Sequence, residues 1–340
     1  MKPLVSVLMP ALNEEGSIAG AIASVLAQTD VEVEVLVIHG PSVDATGRIV
    51  EELAAADERV RLIPNPRTLI PVALNLGLQA ARGEYIARVD AHSNADPSYL
   101  SRGVAWMARN PKLASVGGLR KGVASTPTGR AIALALSSKA AIGNSINHYA
   151  TEPQLTDHAS MAVTRTAAAR QVGGWDESLP VNEDVDFDHR LIQAGYQIGF
   201  DPAMKVDWHV RETVPQLFRQ YRRYGRGKAA MLRKNGAEAI RLRHLVPPAF
   251  VVGTGVLLLG GLFRRGLWAL LVPYLGLLAA ASAQAWRNRD PKVDADPAAL
   301  PPAFAAVHTG WGLGMLEGLL LGKEPHLASG NSAVNEPTTK

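Results

Sequence analysis

Between residues 4 and 90, short apolar runs alternate with segments in which apolar side chains recur at helical spacing. The runs predict strands in "LVSVLM" (4–9), "VEVEVLVIHG" (31–40), "RVRLIPN" (59–65) and "EYIARVD" (84–90). The intervening segments predict helices in "IAGAIASVLAQ" (18–28), "DATGRIVEELAAA" (44–56) and "PVALNLGLQAA" (71–81). This alternation is typical of an α/β fold with a mostly parallel sheet and helices on both faces.

Ligands of such sheets bind at the carboxyl ends of the strands. The loops at these ends read "PALNEE", "HGPSVD", "NPRT" and "DAHSN", and all four are rich in polar or turn residues. Neither the dinucleotide-binding glycine pattern nor the P-loop pattern is present in the sequence. The sequence therefore argues against a dinucleotide enzyme and against a P-loop kinase or ATPase.

The pattern changes after residue 244, where three long apolar stretches follow at 245–263, 267–286 and 303–321. The first two carry no charge, and the third carries only Glu317 and His308. Each is long enough to span a hydrocarbon core of roughly 30 Å, so we expect membrane helices. Buried core helices are the alternative interpretation.

The excess positive charge is local. Nine Lys and Arg lie between Arg219 and His244, with Glu238 as the single acid. A basic segment before the first apolar span fits the positive-inside rule and attracts anionic headgroups. A nucleic-acid surface is the alternative, but no nucleic-acid-binding motif accompanies the charge, so we expect no nucleic-acid partner. The apolar run near the N-terminus is too short for a signal peptide, and we expect this region to be cytoplasmic.

Three groups of residues could take part in metal binding or catalysis. Asp90 and His92 follow a buried strand two positions apart, so both can face one ion such as Mn²⁺ or Mg²⁺, although a turn cap and a surface histidine would also explain them. In "VNEDVDFDHRLIQAGYQI" (181–198), four acids crowd the start of a predicted helix, where the helix dipole favours them and where one could act as a general base. The Gly-rich segment before it, "QVGGWDESL", is suited to cover a site.

The third group is "LFRQYRRYGRGK" (217–228). If this segment is helical, Gln220, Arg223 and Tyr224 share one face and could hold a diphosphate leaving group. A solvated basic face in contact with lipid headgroups is the alternative.

Taken together and in their order along the chain, these segments resemble those of the family 2 glycosyltransferases. The catalytic domain of that family has the nucleotide-sugar-binding GT-A fold. The resemblance rests on "VSVLMPALNEE", "HGPSVDAT", "ALNLGLQAARGEYIARVDAH", "GGWDES" with "NEDVDFDHRLIQAGY", and "QYRRY", and it covers about residues 4–228. "RVDAH", "QYRRYGRGK" and "VHTGWGLGMLEGLL" are similar to bacterial membrane-attached glucosyltransferases of succinoglycan and exopolysaccharide assembly.

The resemblance implies roles for individual residues. Asp90 matches the first metal-binding acid, and Asp184, next to Glu183, matches the catalytic base. Gln220, Arg223 and Tyr224 match a Gln-x-x-Arg-Trp motif near the diphosphate and acceptor, with Tyr in place of Trp. The residues that match the first, nucleotide-facing loop are Pro10, Ala11, Asn13 and Glu14.

Two positions depart from the family pattern. His92 replaces the usual second Asp and can still bind Mn²⁺. His39 replaces an Asp that contacts the uridine in many members, and an imidazole cannot make a carboxylate's hydrogen bonds to base and ribose. Arg67 could reach a phosphate, and His209 could complete the metal shell or the phosphate site, but surface or packing roles would explain both at least as well.

The sequence thus predicts an inverting, metal-dependent hexosyltransferase that uses a nucleotide-sugar donor, with a UDP-sugar preferred, and a lipid-linked glycan acceptor. We expect a GT-A domain at 1–230, a basic juxtamembrane segment at 231–244, a membrane-associated region at 245–322 and a flexible tail at 323–340. The expected location is the inner cell membrane, crossed several times, with the catalytic domain in the cytoplasm. The alternatives are a polyprenyl-phosphate sugar synthase, a catalytically weak sugar-nucleotide-binding scaffold, and a membrane transport or assembly protein.

Overall fold

The computed structural model describes residues 2–236 and 242–322, so the predicted tail at 323–340 and part of the predicted juxtamembrane segment lie outside the described residues. The strands are β1 (Leu4–Ala11), β2 (Glu32–His39), β3 (Val60–Pro64), β4 (Tyr85–Arg88), β5 (Ser93–Ala95), β6 (Leu113–Val123), β7 (Gln154–Thr156), β8 (Val163–Arg165) and β9 (Gln197–His209).

The α-helices are α1 (Ile18–Leu26), α2 (Thr46–Ala56), α3 (Ile70–Ala80), α4 (Tyr99–Arg109), α5 (Pro127–Leu136), α6 (Lys139–Ile142), α7 (Thr166–Gln171), α8 (Glu183–Gln193), α9 (Val214–Asn235), α10 (Leu242–Phe263), α11 (Val272–Arg287) and α12 (Leu300–Leu321). All seven elements predicted between residues 4 and 90 are present.

The chain forms two compact units. The first contains the residues up to Lys121 together with Ala150–His209, and the second contains Gly122–Tyr149 together with the described residues from Val210 onward. Within the described residues, one nine-stranded sheet has the order β3-β2-β1-β4-β8-β6-β9-β5, and β7 pairs with β9.

The sheet has a parallel half and an antiparallel half. Strands β3, β2, β1 and β4 pair in parallel, whereas β8 is antiparallel to β4 and to β6, and β5 and β7 are antiparallel to β9. The parallel register aligns Ala11 of β1 with His39 of β2, and His39 with Pro64 of β3. The loops that follow β1, β2 and β3 therefore leave the sheet at one edge.

Apolar side chains from strands and helices form the core of the first unit. Leu8, Leu36, Ile38 and Ile86 of the sheet are fully buried with Leu74 of α3. Burying a side chain of this size contributes about 1.5–3 kcal/mol to folding. The core fixes the parallel strands and, with them, the edge from which the polar loops emerge.

Two helices of the second unit approach each other closely through glycines. A Cβ atom on Gly314 of α12 would lie 1.9 Å from the carbonyl oxygen of Arg222 on α9, and one on Gly225 of α9 would lie 2.1 Å from the carbonyl oxygen of Trp311. Only residues without a side chain allow this backbone separation. Glu317 of α12 also accepts hydrogen bonds from Arg222 and Arg226 of α9.

Three helical stretches are long and apolar enough to cross a membrane: His244–Phe263, Arg265–Arg287 and Pro297–Leu321. Half of the third stretch is buried inside the structure, against 11% of each of the first two. Leucines, valines and aromatic side chains of the first two stretches are exposed, among them Leu259, Phe263 and Leu270. The apolar stretches predicted from the sequence are thus helical, and most residues of the first two are not buried inside the protein.

Candidate active site

The loop after β1 is cross-linked to the loop after β2. Asn13 has a left-handed backbone with φ 56°, a conformation that asparagine tolerates better than most residues. Its side-chain Oδ1 accepts a hydrogen bond from the amide of Val43 at 2.8 Å, and its own amide donates to Oγ of Ser42 at 2.9 Å. The amide of Glu14 donates to Oγ1 of Thr46 at 2.7 Å. These bonds hold the predicted nucleotide-facing loop in one shape.

Of the other predicted residues at this edge, Ala11 is buried and Pro10 is half-buried. His39 ends β2 beside Ala11, and its Nε2 lies 3.0 Å from Oγ of Ser42. A Cβ on Gly47 would lie 2.9 Å from the His39 ring, so the backbone of α2 fits closely against the imidazole. The histidine at this position is therefore packed and hydrogen-bonded, and contact with a nucleotide remains a prediction for it.

Arg67 pairs with the Gly-rich loop that the sequence pattern suggests as a cover for the site. Its Nη1 donates to Oε2 of Glu177 at 2.6 Å; the Arg67 side chain is largely exposed and that of Glu177 is partly exposed. The same loop is anchored to α3, because Asn75 accepts from the amide of Trp175 at 2.8 Å and donates to its carbonyl at 2.8 Å. Trp175 in turn stacks on Phe187 of α8, with ring centroids 4.5 Å apart.

Arg88 connects the two acidic groups predicted to carry the chemistry. From the last residue of β4, its Nε donates to Oδ1 of Asp90 at 2.8 Å, and its Nη1 donates to Oε1 of Glu183 at 2.9 Å. The sequence pattern indicates only a strand residue at this position. The structure brings Asp90 and Glu183 together at the carboxyl end of β4.

Charge neighbours keep Asp90 ionised. Burial alone would raise the pKa of this carboxyl, but the positive charges of Arg88 and His92 and the hydrogen bond from Arg88 outweigh burial and lower it. Because a metal ligand must be deprotonated, this environment suits metal binding.

The two histidines predicted as metal ligands, His92 and His209, have different environments. Nδ1 of His92 lies 2.9 Å from Oε1 of Glu14, so the histidine joins the first loop to the end of β4. His209 is an exposed residue at the end of β9, directly after Trp208, which pairs with Ser93. Metal binding by either histidine remains a prediction.

A cation at Asp90 would depend on substrate oxygens. In the part of the chain that the structure describes, no group of three or more His, Cys, Asp or Glu residues could hold a metal ion. An ionised carboxylate and an adjacent imidazole nevertheless fit Mn²⁺ or Mg²⁺ if a bound diphosphate supplies further ligands, which is how Mg²⁺ is commonly held.

Glu183 and Asp184 begin α8, and their environments differ. Glu183 is buried, and burial followed by the negative charge of Asp184 raises its pKa to about 7, although Arg88 opposes the shift. The Asp184 side chain is one-third exposed, and its Oδ1 accepts from the amide of Val185 at 2.8 Å. The more accessible carboxylate of the pair is therefore Asp184.

His158 is a site residue that the sequence patterns do not reveal. It lies in the loop between β7 and β8, where its Nδ1 is 2.8 Å from Oδ2 of Asp188 and its Nε2 is 3.7 Å from Oδ2 of Asp184. The segment "LTDHASM" matches none of the motifs that point to chemistry in this chain, and only the fold places it against α8.

The motif residues Gln220, Arg223 and Tyr224 lie on α9 in the second unit, on one helical face as predicted. Nε2 of Gln220 donates to the hydroxyl of Tyr224 at 3.1 Å. Within the described residues, the buried Oε1 of Gln220 and the buried Nε of Arg223 have no hydrogen-bond partner. Burial lowers the pKa of Arg211; Tyr224 opposes the change and the charge of Arg223 adds to it. Two guanidinium groups thus share one partly desolvated region.

Comparisons with known proteins identify the family. The model of glycosyl transferase family 2 matches residues 6–173. The succinoglycan biosynthesis protein ExoA of Rhizobium meliloti (strain 1021) is 31% identical over 278 residues, which cover 81% of this chain and 82% of that protein. The chain belongs to glycosyl transferase family 2. The exopolysaccharide type that the sequence motifs predicted is confirmed by the same relative.

Two more distant proteins are similar to this glycosyltransferase. A dolichyl N-acetyl-alpha-D-glucosaminyl phosphate 3-beta-D-2,3-diacetamido-2,3-dideoxy-beta-D-glucuronosyltransferase of Methanococcus voltae is 24% identical over 239 residues, 68% of this chain and 74% of that protein. The mannosyltransferase PcManGT of Pyrobaculum calidifontis, solved with GDP-Man and Mn²⁺, superposes with a TM-score of 0.60 at 20% identity, over 95% of this chain and 89% of that one. The second similarity shows the fold alone, and it confirms the predicted GT-A-like α/β class.

Proposed function

We propose that this glycosyltransferase moves a sugar, with inversion at the anomeric carbon, from a nucleotide-sugar donor to a hydroxyl group of a lipid-linked glycan in cell-surface polysaccharide assembly. A UDP-sugar is the proposed donor. The single observation that carries the proposal is the bridge from Arg88 to Asp90 and Glu183, with Asp184 adjacent to Glu183. In this arrangement Asp90, a carboxylate suited to bind a metal ion that carries a diphosphate, lies at the same end of β4 as Asp184, a carboxylate suited to act as a general base.

In the proposed reaction Asp184 accepts the proton of the acceptor hydroxyl. The hydroxyl oxygen forms a bond to the anomeric carbon as the bond from that carbon to the diphosphate oxygen breaks, and the electron pair leaves with the diphosphate. Asp184 is favoured over Glu183 as the base because it is more exposed. In addition, the raised pKa of Glu183 leaves that carboxyl partly protonated at neutral pH.

The negative charge of the leaving group needs positive partners. Arg223 is the proposed diphosphate contact, supported by its unpaired, buried Nε atom, with Gln220 and Tyr224 orienting it and Arg211 adding charge. Asp90, with His92 and His209 as further proposed ligands, would hold Mn²⁺ or Mg²⁺. A bound cation would neutralise charge on the diphosphate. The nucleotide is proposed to lie against the loop of Pro10, Ala11, Asn13 and Glu14, next to His39, with Arg67 near a phosphate.

The acceptor class and the location are proposed from the apolar helices. Exposed leucines and valines on α10 and α11 would lie in lipid. The catalytic unit would then lie at the cytoplasmic face of the inner membrane, where lipid-linked glycans are extended. The relative from Methanococcus voltae, whose name specifies a dolichyl phosphate-linked acceptor, supports a lipid-linked substrate.

The test is a transfer assay with membranes that contain the full chain and lipid-linked acceptors, using labelled UDP-, GDP- and TDP-sugars with and without Mn²⁺. We expect one donor to be used, in a metal-dependent manner, and the product to have the inverted anomeric configuration by NMR. Asp184→Asn should abolish transfer and leave donor binding intact, whereas Asp90→Ala should weaken metal-dependent donor binding.

The control is Asp30→Asn, because Asp30 is an exposed acid in a left-handed conformation that asparagine also tolerates. It should transfer at the wild-type rate. Transfer by Asp184→Asn near that rate would remove Asp184 as the base. A metal titration unchanged by Asp90→Ala would remove Asp90 from the metal site, and absence of transfer from all donors would contradict the function itself.

A further inference from the structure

His158 lies between two carboxylates of one helix. Its Nδ1 is 2.8 Å from Oδ2 of Asp188, and its Nε2 is 3.7 Å from Oδ2 of Asp184. Asp184 and Asp188 are four residues apart on α8 and therefore lie one helical turn apart on the same face. The imidazole spans this gap with one nitrogen directed at each acid.

Asp188 fixes the orientation of the ring. Its side chain is 3% exposed, and the same Oδ2 atom also accepts a hydrogen bond from the amide of Ala159 at 2.9 Å. The carboxylate is therefore held by the backbone on one side and holds the imidazole on the other. This leaves Nε2 as the ring nitrogen that faces the predicted catalytic base.

The charges around the imidazole favour its protonated form. Burial alone would lower the pKa of His158, but Asp184 and Asp188 of α8, together with the adjacent Asp157, outweigh burial and raise it to about 9. At neutral pH an imidazolium therefore faces Asp184. An opposite charge at this distance favours the ionised carboxylate.

We propose that His158 is a positioning residue for the reaction: anchored by Asp188, it orients the Asp184 carboxylate and holds a positive charge beside it while Asp184 accepts the acceptor's proton. The inference rests on the proposed function, because it assigns Asp184 the role of base. The arrangement resembles other sites in which a base is oriented by a third group that never contacts the substrate. The proton moves only from the acceptor hydroxyl to Asp184, and His158 keeps its own proton throughout.

A purely structural role for His158 makes a different prediction. In that case its replacement would lower stability and the amount of folded enzyme, and the pH dependence of the remaining activity would be unchanged. The positioning role predicts a change in the acidic limb of the pH–rate profile. A positive charge beside a carboxylate base favours the charged form, so without the imidazolium the rate should begin to fall at a higher pH as the pH is lowered.

The experiment compares His158→Gln, Asp188→Asn and the control His189→Gln with the wild-type full chain in membranes, using the donor that the wild type accepts. His189 follows Asp188 on α8 and is the same residue type as His158, and it is half-buried. For each variant kcat, the donor KM, the thermal midpoint and the pH–rate profile from about pH 5 to about pH 9 are measured, a range that brackets the titration of an imidazole and of a raised carboxyl.

We expect His158→Gln to lower kcat at least tenfold with donor KM changed less than twofold, and to move the acidic limb up by about one pH unit. Asp188→Asn should move the limb in the same direction by a smaller amount, and His189→Gln should leave it in place. A kcat within twofold of wild type, or a lowered kcat with the acidic limb unmoved in both variants, would overturn the inference.

The two proposals fail in different ways. If the wild type transfers sugar and Asp184→Asn is inactive, but His158→Gln behaves like His189→Gln, the function stands and the role of His158 is wrong. If Asp184→Asn is active, the base assignment is wrong and the role of His158 fails with it. A folding defect in His158→Gln would be visible as a lowered thermal midpoint, and Asp188→Asn, which keeps the size of the side chain, then decides the question by its pH profile.

Discussion

Nη1 of Arg88 donates a hydrogen bond of 2.9 Å to Oε1 of Glu183 across 95 positions of the chain. The same guanidinium bonds Asp90 at 2.8 Å. One cation thus holds the end of β4 against the start of α8, and it neutralises the buried Glu183 and the partly buried Asp90, which would otherwise repel each other. The planar guanidinium group has several N–H donors, so it can bond Asp90 through Nε and Glu183 through Nη1 at the same time.

Arg88→Lys should therefore destabilise the first unit. A lysine keeps the charge but cannot bond both carboxylates with fixed geometry, so one buried acid loses its partner, at a cost of about 1–3 kcal/mol. Thermal unfolding of the purified protein measures the loss. The matched control is Arg48→Lys, because Arg48 is 65% exposed and pairs with Glu52 one turn along α2. This surface pair contributes less than about 1 kcal/mol. Equal unfolding midpoints for the two variants would contradict the bridging role.

Glu183→Gln should change how stability depends on pH. The pKa of Glu183 is raised in the folded state from 4.5 to about 7, so its favourable contribution is fully present below pH 4.5 and is lost as the pH rises through about 7. Glutamine does not titrate. The free energy of unfolding of Glu183→Gln relative to wild type should therefore increase between about pH 5 and about pH 8, on the order of 2–3 kcal/mol.

Denaturant unfolding at several pH values measures this difference. Glu58→Gln is the control, because Glu58 is an exposed acid in the turn before β3. Its difference from wild type should be flat across the same range. A flat difference for Glu183→Gln as well would show that the buried carboxyl does not titrate in this window.

The parallel half of the fold could be predicted from the sequence because its elements are long and strongly patterned. β1 and β2 each have eight residues with mostly buried side chains, and the helices between the strands show apolar spacing over nine to eleven residues. Because parallel strands open their loops at one edge of a sheet, the sequence pattern alone places Asp90 near the first loop.

The antiparallel half could not be predicted in the same way. β5, β7 and β8 have three residues each, too few for periodicity to distinguish a strand from a loop. The sequence patterns also could not predict which residues pair with the predicted acids. Arg88 has the position of an ordinary strand residue, and His158 lies in a loop far before Asp184 in the chain, so only tertiary contacts reveal that each one bridges two carboxylates.

Gly314→Ala should disrupt the contact between α9 and α12. The added methyl group would lie 1.9 Å from the carbonyl oxygen of Arg222, a backbone atom that cannot move without shifting the helix. Overpacking of this kind costs about 1–3 kcal/mol or more. Gly276→Ala on α11 is the control, because a Cβ there meets nothing within 4 Å. It should be neutral or stabilising, since alanine favours a helix over glycine by up to about 1 kcal/mol. Thermal midpoints in detergent separate the two, and similar midpoints would contradict the close helix packing.

Glu317→Leu should destabilise the same helix pair by leaving two cations without their partner. Oε2 of Glu317 accepts from Nε of Arg222 at 2.9 Å and from Nε of Arg226 at 2.8 Å, and the Glu317 side chain is only 10% exposed. Removing one member of a buried ion group costs about 3–5 kcal/mol, and the partial exposure of Arg222 places the expected loss at the lower end.

Replacing all three charges tests whether this loss comes from unpaired charge or from lost attraction. Leucine at 317, 222 and 226 removes the desolvated cations together with the acid, so the triple variant should unfold at a higher temperature than Glu317→Leu. Asp294→Asn is the control, because the Asp294 side chain is 85% exposed and its ion pair with Arg130 should contribute less than about 1 kcal/mol. If the triple variant unfolded below Glu317→Leu, the attraction within the triad would outweigh the cost of burying its charges, and the ion group would be a net source of stability for α12.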